Sequence, residues 1–532
     1  MMHKLESFLM KYPGKVFFFL ISLSIPAFLI NLGLLPLFAD EPTRANVALE
    51  MILSNNYSVP TIGGEYYYNK PPLYNWILAG VYLISGSYSE LMTRLPALAP
   101  MFLFAISIYY AVTYFLKDKR IAALSGILFL VNGRMLIYDS MLGHIDIFYS
   151  WLTFISFMLI FYFLQKKSWF WLFFISYLIT AITFLCKGLP SIVFQGFTLI
   201  AVLWYTKNFK KLFSWQHILS GIFCLLIITA YFLNYSQHNA NLEGYFSTIW
   251  DQSSRRTAVE FGLIQSLAHV LIFPFEHIGH LFPASLLLLF CFHKDFLKKL
   301  KQNPFLSYIV IVFLANIWVY WLSPQTRPRY LMMLYPLLFI IWSHAYFQYR
   351  DSLPRLNKIF NNSLLILAIL VSLSIPAALF LDLQDYVPLL VPKVILLGFS
   401  AALISFIIYR LKTGKIYAFL VLLILVRFAF SWFVLPHRFV HMDSRYFRDA
   451  AIEMGTIVKD EPFYFYQYHP AEPGIPFHDR LIFYIEKTRM KQVNFTEEDT
   501  KPGYYFTFDR DLKNPKAILI KTYQNLKLYQ IK

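Results

Sequence analysis

A chain of 532 residues that is 58% hydrophobic, 19% aromatic and only 14% charged, with a mean hydropathy of +0.52, excludes a string of water-soluble domains and describes a polytopic membrane protein. The formal charge of +17 does not mark a nucleic-acid binder, because Lys and Arg stand in short clusters between apolar runs, as topology signals do. Cys186, Cys224 and Cys291 lie far apart in or beside apolar runs, so neither a disulfide framework nor a zinc spacing is present.

The basic N-terminus, MMHKLESFLMKYPGK, precedes an apolar run too long for a cleaved signal peptide, and reads as a retained first span that doubles as a signal anchor. Runs of spanning length follow at 16–37, 91–116, 121–138, 147–164, 169–186, 189–206, 217–235, 264–292, 305–323, 330–349, 359–381, 388–410 and 415–435. A helix needs roughly 20 residues to cross a ~30 Å core, so about thirteen spans are expected. Alternate connections carry Lys117/Lys119/Arg120, Lys166/Lys167, Lys207/Lys210/Lys211, Lys294/Lys298/Lys299/Lys301, Arg350/Arg355/Lys358 and Arg410/Lys412/Lys415. All fall on the side of the N-terminus, which predicts that side to be cytoplasmic and the C-terminus to lie outside. Of the acids before Pro436, Glu6, Asp118, Asp295 and Asp351 share that side, and the rest fall on or near the other. The chemistry is therefore expected to face outward.

The stretch from Phe38 to Pro100, the first outer connection with its two flanks, gathers Asp40, Glu41, Arg44, Glu50, Glu65, Lys70, Glu90 and Arg94. Ionisable side chains beside hydrocarbon are costly and tend to mark a working site. Asp40 and Glu41 follow the first span directly, and Pro42 stands where a first helical turn begins. An acidic helix cap explains the pair equally well in isolation. Residues 42–54 are expected to form a short helix lying along the interface. The loop continues through Tyr66-Tyr67-Tyr68-Asn69-Lys70-Pro71-Pro72.

The next outer loop, GRMLIYDSMLGHIDIFYSW, carries Asp139 and Asp146 two helical turns apart, on one face if the segment is helical. His144 between them reads as a hydrogen-bonded interfacial residue. Lys187, in LCKGLPS, either snorkels to the interface or meets a phosphate. Arg255 and Arg256 stand in WDQSSRRTAVEFG, where local ion pairing is the simpler account. His277 and His280 with Glu276 lack the order and spacing of a zinc motif. Arg327-Pro328-Arg329-Tyr330 is expected to open a span, where two guanidinium groups at a helix N-terminus would suit a phosphate. Arginines on an outer face are poorly explained by topology. Beyond Pro436 a helix-like SRYFRDAAIEMGTIV precedes PFYFYQYHP, LIFYIEK, GYYFTFDR and KAILIKTY, read as strands of a small α+β domain.

An acidic pair after the first span, an interfacial helix, a KPPLYNW entry to a second interfacial segment and a RLPAL entry to the next span together resemble the membrane glycosyltransferases that use polyprenyl-phosphate sugars. The branch is the one containing protein O-mannosyltransferases and lipid A aminoarabinose transferases, and the resemblance covers roughly residues 1–340. The aminoarabinose transferases carry Glu before the lysine of KPP, where this chain has Asn69. The resemblance implies an all-α polytopic GT-C fold of about thirteen spans over residues 1–435, with a catalytic first outer loop at 38–90 and a small extracytoplasmic α+β domain at 436–532. It implies Asp40, with Glu41, at the reaction centre, and Lys70 on the donor phosphate. Lys187, Arg256, Arg327, Arg329 and Tyr330 would join Lys70, with Arg44, Asp139 and Asp146 in support. The implied partners are a polyprenyl-phosphate sugar, a lipid or protein acceptor and membrane lipids, at the outer side of the inner membrane and without nucleic acid. No cofactor is implied; a divalent metal stays open. The competing class, a flippase for lipid-linked glycans, would show paired halves and charges at the midplane. No repeat is present, and the charges collect at one surface.

Overall fold

The computed structural model describes residues 2–254, 262–467 and 478–532. The chain divides into two compact units. One comprises Met1–Leu32, Ala97–Ala230 and Ser247–His437; the other comprises Gly33–Pro96, Tyr231–Phe246 and Arg438–Lys532.

The first unit is helical throughout, and the thirteen expected runs all carry helix. Among the described residues eight helices are long and apolar enough to cross a bilayer, or eleven if three bent pairs each count as one. Two expected spans are short: Pro190–Tyr205 has 16 residues and Tyr335–Tyr349 has 15. At 1.5 Å per residue these rise only about 22–24 Å, less than a ~30 Å core. The second is short because residues 328–331 are spent on a 3-10 turn ahead of it. The run 264–292, read as one span, bends by 116° between Ile264–His280 and Ala284–Phe292. Large apolar side chains such as Phe19, Phe292 and Phe380 stay exposed on these helices. Hydrocarbon accepts such a surface and water does not, so the chain is a multi-pass membrane protein.

Local sequence marks the breaks. Asp118 caps the helix Lys119–Val131 by accepting from the amides of Arg120 and Ile121. Asn132 ends that helix and caps the next turn, Gly133–Ile137, through Met135. The chain bends there by 44°. Basic turns far apart in sequence gather at one end of this unit. Lys412 donates its amide to Glu6, Tyr417 donates to the Arg120 carbonyl, and Arg120 lies over the Phe347 ring. Turns that topology signals assign to one side are thus physically neighbours.

The second unit mixes helix and sheet. In chain order its strands are β1 (Thr61–Ile62), β2 (Glu65–Tyr66), β3 (Phe463–Tyr466), β4 (Asn494–Thr496), β5 (Gly503–Phe508), β6 (Ile518–Tyr523) and β7 (Leu526–Ile531). β1 and β2 form a small hairpin; the others form one sheet in the order β4-β3-β5-β7-β6. β3 runs parallel to β4 and β5, whereas β5, β7 and β6 are antiparallel neighbours. Four helices, Glu41–Ser54, Leu73–Ser85, Asp443–Val458 and His478–Arg489, complete the unit.

One expectation fails here. LIFYIEK, read as a strand, lies in the helix His478–Arg489. Leu481 to Ile485 are all buried, because helices 41–54 and 443–458 pack against this one from different sides. A continuous apolar run fits a buried strand and a fully buried helix alike, and only the packing decides. The helix 41–54, expected along the interface, is packed inside its unit: it buries every residue from Glu41 to Met51 except Thr43. It is the central helix of its unit. Val47, Leu49 and Met51 join Phe447, Met454, Phe465, Phe483 and Phe506 in one core. Each large side chain so buried contributes roughly 1.5–3 kcal/mol. Residues 438–532, expected as a domain of their own from 436, fall in one compact unit with residues 33–96 and share a core with them.

Candidate active site

In the second unit the acidic pair separates into two environments. Ala39 takes a left-handed φ of 55°, which turns the chain into the helix starting at Glu41. Asp40 stands at the helix entry, exposed. Glu41 is fully buried and accepts two parallel hydrogen bonds from Arg94, Nε to Oε1 at 2.8 Å and Nη2 to Oε2 at 3.0 Å. Arg94 also donates to the carbonyls of Leu35 at 3.0 Å and Pro36 at 3.1 Å. The guanidinium therefore ties the segment before Asp40 to the helix after it. Glu41, expected beside Asp40 at the reaction centre, forms the carboxylate side of this clamp.

Arg44, one turn into the helix, donates through Nη2 to Tyr67 Oη and packs over the same ring at 5.3 Å. This contact brings the YYYNKPP strand to the first turn of the helix. Burial pushes the Tyr67 hydroxyl above its ordinary range; Arg44 opposes that, and the Asp479 and Asp40 carboxylates add to it. Lys70, three residues on, is half-buried. The helix Leu73–Ser85 follows the two prolines and is fixed by Trp76, whose indole N–H donates to the Tyr57 carbonyl at 2.7 Å.

Glu50 sits deeper. It accepts from Thr61 Oγ1 at 2.7 Å, from the amides of Gly63 and Gly64, and from Gln492 at 3.2 Å. It holds the β1–β2 hairpin onto the helix. Glu486, equally buried, accepts the Val493 amide at 2.9 Å and is within hydrogen-bonding reach of Glu50. Its other oxygen meets no donor among the described residues, so one proton shared between the two carboxyls satisfies both. Burial raises both groups above the usual carboxylate range, Glu486 well above it, and the Glu50 carboxyl raises Glu486 further.

In the first unit the outer-loop acids also separate. Asp139 lies in a 3-10 turn and pairs with Arg134, Nη2 to Oδ1 at 2.7 Å and Nε to Oδ2 at 2.9 Å. Asp146 lies in the first turn of Ile145–Gln165, beyond a break at 142–144, so the two acids do not share a helical face. Asp146 accepts from Lys187 Nζ at 2.5 Å and lies 3.4 Å from Arg329 Nε. Arg329 Nη1 donates to His144 Nδ1 at 3.0 Å. Lys187 Nζ lies over the rings of Tyr330 at 4.5 Å and Tyr149 at 4.9 Å. Lys187 does not snorkel: it is 6% exposed, and Arg329 is 5% exposed. Lys187 and Arg329 thus meet Asp146 in a buried, tyrosine-walled cluster, and an ammonium and a guanidinium are groups that suit an anion.

Arg327 is not part of that cluster. It is exposed at the head of the four-residue 3-10 turn Pro328–Leu331, and the helix proper starts at Tyr335. The expected helix N-terminus with two arginines is therefore absent, and Arg329 enters the cluster by its side chain alone. Arg256 lies outside the described residues. His277 Nδ1 is hydrogen-bonded to the Phe273 carbonyl at 2.8 Å, and His280 stands 3.9 Å from Glu276. No group of three or more His, Cys, Asp or Glu among the described residues is arranged to hold a metal ion. Sequence reasoning missed three residues: Arg134, Glu486 and Arg427. A charge inside an apolar run was the available signal for Arg427.

A family model described as dolichyl-phosphate-mannose-protein mannosyltransferase matches residues 69–233, under half of the chain, a stretch that contains Lys70, Asp139, Asp146 and Lys187. Among solved structures, ArnT from Cupriavidus metallidurans bound to undecaprenyl phosphate is similar at a TM-score of 0.66 and 15% identity, with 96% of this chain and 97% of that one covered. The apo form of the same protein gives the same values. The apo oligosaccharyltransferase of Archaeoglobus fulgidus matches at a TM-score of 0.47 and 12% identity, with 92% of this chain and 65% of that one covered. No curated protein sequence matches. The chain has the ArnT-like GT-C fold with a small C-terminal sheet domain.

Proposed function

We propose that this membrane protein of GT-C fold transfers a sugar from a polyprenyl-phosphate donor to an acceptor hydroxyl at the outer side of the inner membrane, with inversion at the anomeric carbon. The carrying observation is the buried Lys187–Asp146–Arg329 cluster, with two cations against one carboxylate beside Tyr149 and Tyr330. The similarity to a protein solved with undecaprenyl phosphate supports a lipid phosphate as its ligand.

In the proposed reaction the acceptor oxygen forms a bond to the anomeric carbon as the bond from that carbon to the phosphate oxygen breaks. The electron pair leaves with the phosphate, and the acceptor proton passes to Asp40. Lys187 and Arg329, with Lys70 and Arg327 assigned the same ligand, offset the charge that grows on the departing phosphate. Fixed cations in a water-poor site are usually a large catalytic term. Base catalysis of the kind assigned to Asp40 contributes about 10²–10⁴-fold. Glu41 is assigned a supporting part only, through Arg94.

The test is Asp40→Asn and Lys187→Met, assayed in membranes with purified polyprenyl-phosphate sugar and extracted envelope lipids and proteins as acceptors. Asp40→Asn should lose turnover while still retaining the donor; Lys187→Met should lose both. Near-normal transfer by Asp40→Asn removes that residue from its role, and unchanged donor use by Lys187→Met removes the phosphate assignment.

A further inference from the structure

Arg427 lies near the end of the helix Lys415–Ala429 and is wholly buried. No carboxylate pairs with it among the described residues. Its Nη1 donates to the Leu136 carbonyl at 2.7 Å and to Ser140 Oγ at 3.1 Å, and its Nε donates to the Ala27 carbonyl at 3.4 Å. Its plane lies over Phe28 at 4.6 Å and Phe430 at 5.3 Å. Nη2 has no hydrogen-bond partner among the described residues.

A charge buried in an apolar helix without a counter-ion is costly, and such residues are rare outside working sites. The backbone beside it is unusual too. Phe430–Val434 form a single π-turn, a geometry found often at functional sites. That turn makes its own clamp: Ser431 Oγ donates to the Ala27 carbonyl at 2.8 Å, and the Ser431 carbonyl accepts from Asn31 Nδ2 at 2.8 Å. Asn31, at a left-handed φ of 57°, is where the first long helix has ended. One short stretch of the last span therefore grips two helix ends, 27–31 and 136–140.

The second grip matters for chemistry. Leu136 and Ser140 flank the turn that carries Asp139, and the chain runs from Ser140 through His144 to Asp146, which contact Arg329 and Lys187. The segment 132–144 is a chain of short turns rather than one helix, held locally by the Asn132 cap and the Arg134–Asp139 pair, so an anchor from another helix adds to what its own few hydrogen bonds supply. An arginine can fix it, since its planar fork reaches a carbonyl and a hydroxyl at once.

We propose that Arg427, backed by the π-turn at 430–434, is a positioning residue that fixes the 136–140 turn and so sets His144 and Asp146 for the phosphate-binding cluster. The functional half of this inference rests on the reading of that cluster given above; the structural half does not.

The experiment uses the full-length protein in nanodiscs. Hydrogen exchange across 133–146 and binding of undecaprenyl phosphate are measured for Arg427→Gln, Arg427→Lys, Ser140→Ala, Arg329→Ala and a control, Phe360→Ala. Phe360 is buried against the rings of Phe290 and Tyr346, and its loss should lower thermal stability. Arg427→Gln should speed exchange at 133–146 at least tenfold and weaken undecaprenyl phosphate at least tenfold. Arg427→Lys, with one compact donor group, should be intermediate, and Ser140→Ala should shift exchange in the same direction. Phe360→Ala should leave affinity unchanged. Wild-type exchange at 133–146 in Arg427→Gln overturns the proposal, as does an affinity loss that Phe360→Ala reproduces. Should Arg427→Gln not fold, Arg427→Lys and Ser140→Ala decide in the same way. If Arg329→Ala binds undecaprenyl phosphate normally, the phosphate reading fails, while the exchange result still judges Arg427.

Discussion

Arg94 meets Glu41 through two parallel hydrogen bonds at 2.8 and 3.0 Å, with both side chains out of contact with solvent. The acid immediately before Glu41, Asp40, is exposed. Adjacent carboxylates thus have opposite duties. One holds the loop; the other carries the proton-accepting role proposed above.

That division predicts opposite mutant phenotypes. Removing one partner of a buried ion pair costs about 3–5 kcal/mol, because the other charge is left unpaired. Glu41→Gln and Arg94→Ala should therefore lower the melting temperature and the yield of folded protein. Asp40→Asn should keep the melting temperature and lose roughly 10²–10⁴-fold in turnover. Equal melting temperatures for Glu41→Gln and wild type would remove the clamp.

Asp146→Asn should separate positioning from charge. It leaves Lys187 and Arg329 buried without their carboxylate. Anion affinity for undecaprenyl phosphate should rise or hold while turnover falls by roughly 10²-fold, since the cations lose the acid that aims them. A parallel fall in affinity and turnover would mean that Asp146 binds the donor directly.

The Glu50–Glu486 pair predicts a pH dependence of stability. Both carboxyls are raised above their ordinary range by burial, and Glu486 also by Glu50. The folded state therefore keeps a proton that the unfolded chain releases above about pH 4.5. Stability contributed by the pair is complete below that pH and falls as pH rises toward the folded value, by up to about 1.4 kcal/mol per pH unit for each proton. Glu486→Gln mimics the protonated acid and can still face Glu50. It should match wild type near pH 5 and unfold at a higher temperature than wild type near pH 9. Parallel melting curves at both pH values would show that the pair carries no shared proton.

Gly63 offers a sharper test of how the first outer loop docks. Its φ is 61°, and a Cβ there would lie 2.3 Å from the Phe495 ring. Gly63→Ala should destabilise the protein by about 1–3 kcal/mol, through backbone strain and overpacking together. Gly64, at φ 77° with open space around it, should tolerate Ala with a smaller loss. Equal melting temperatures for the two variants would contradict the contact between Gly63 and Phe495.

Much of this protein follows from local chemistry alone. Apolar runs of spanning length became helices, because backbone polar groups in hydrocarbon have no other partner than their own chain. Caps such as Asp118 and Asn132, and the alternation in GYYFTF and AILIKTY, are legible one residue at a time. Lys187, Arg329 and the 139–146 acids stood out because charge beside apolar sequence is expensive.

Other features needed the tertiary structure. LIFYIEK carries no period of its own, so its helix emerges only from the two helices that bury it. Asp139 and Asp146 look alike in sequence; Arg134 and Lys187 distinguish them, and the latter lies 41 residues from its partner. Arg427 reads as a stray charge in an apolar run until Leu136 and Ser140, 291 and 287 residues away, arrive to accept its hydrogen bonds. Spans are determined by the solvent that each segment must suit, which composition records. Partnerships are determined by which segments the fold brings into hydrogen-bonding range, and no local pattern encodes that.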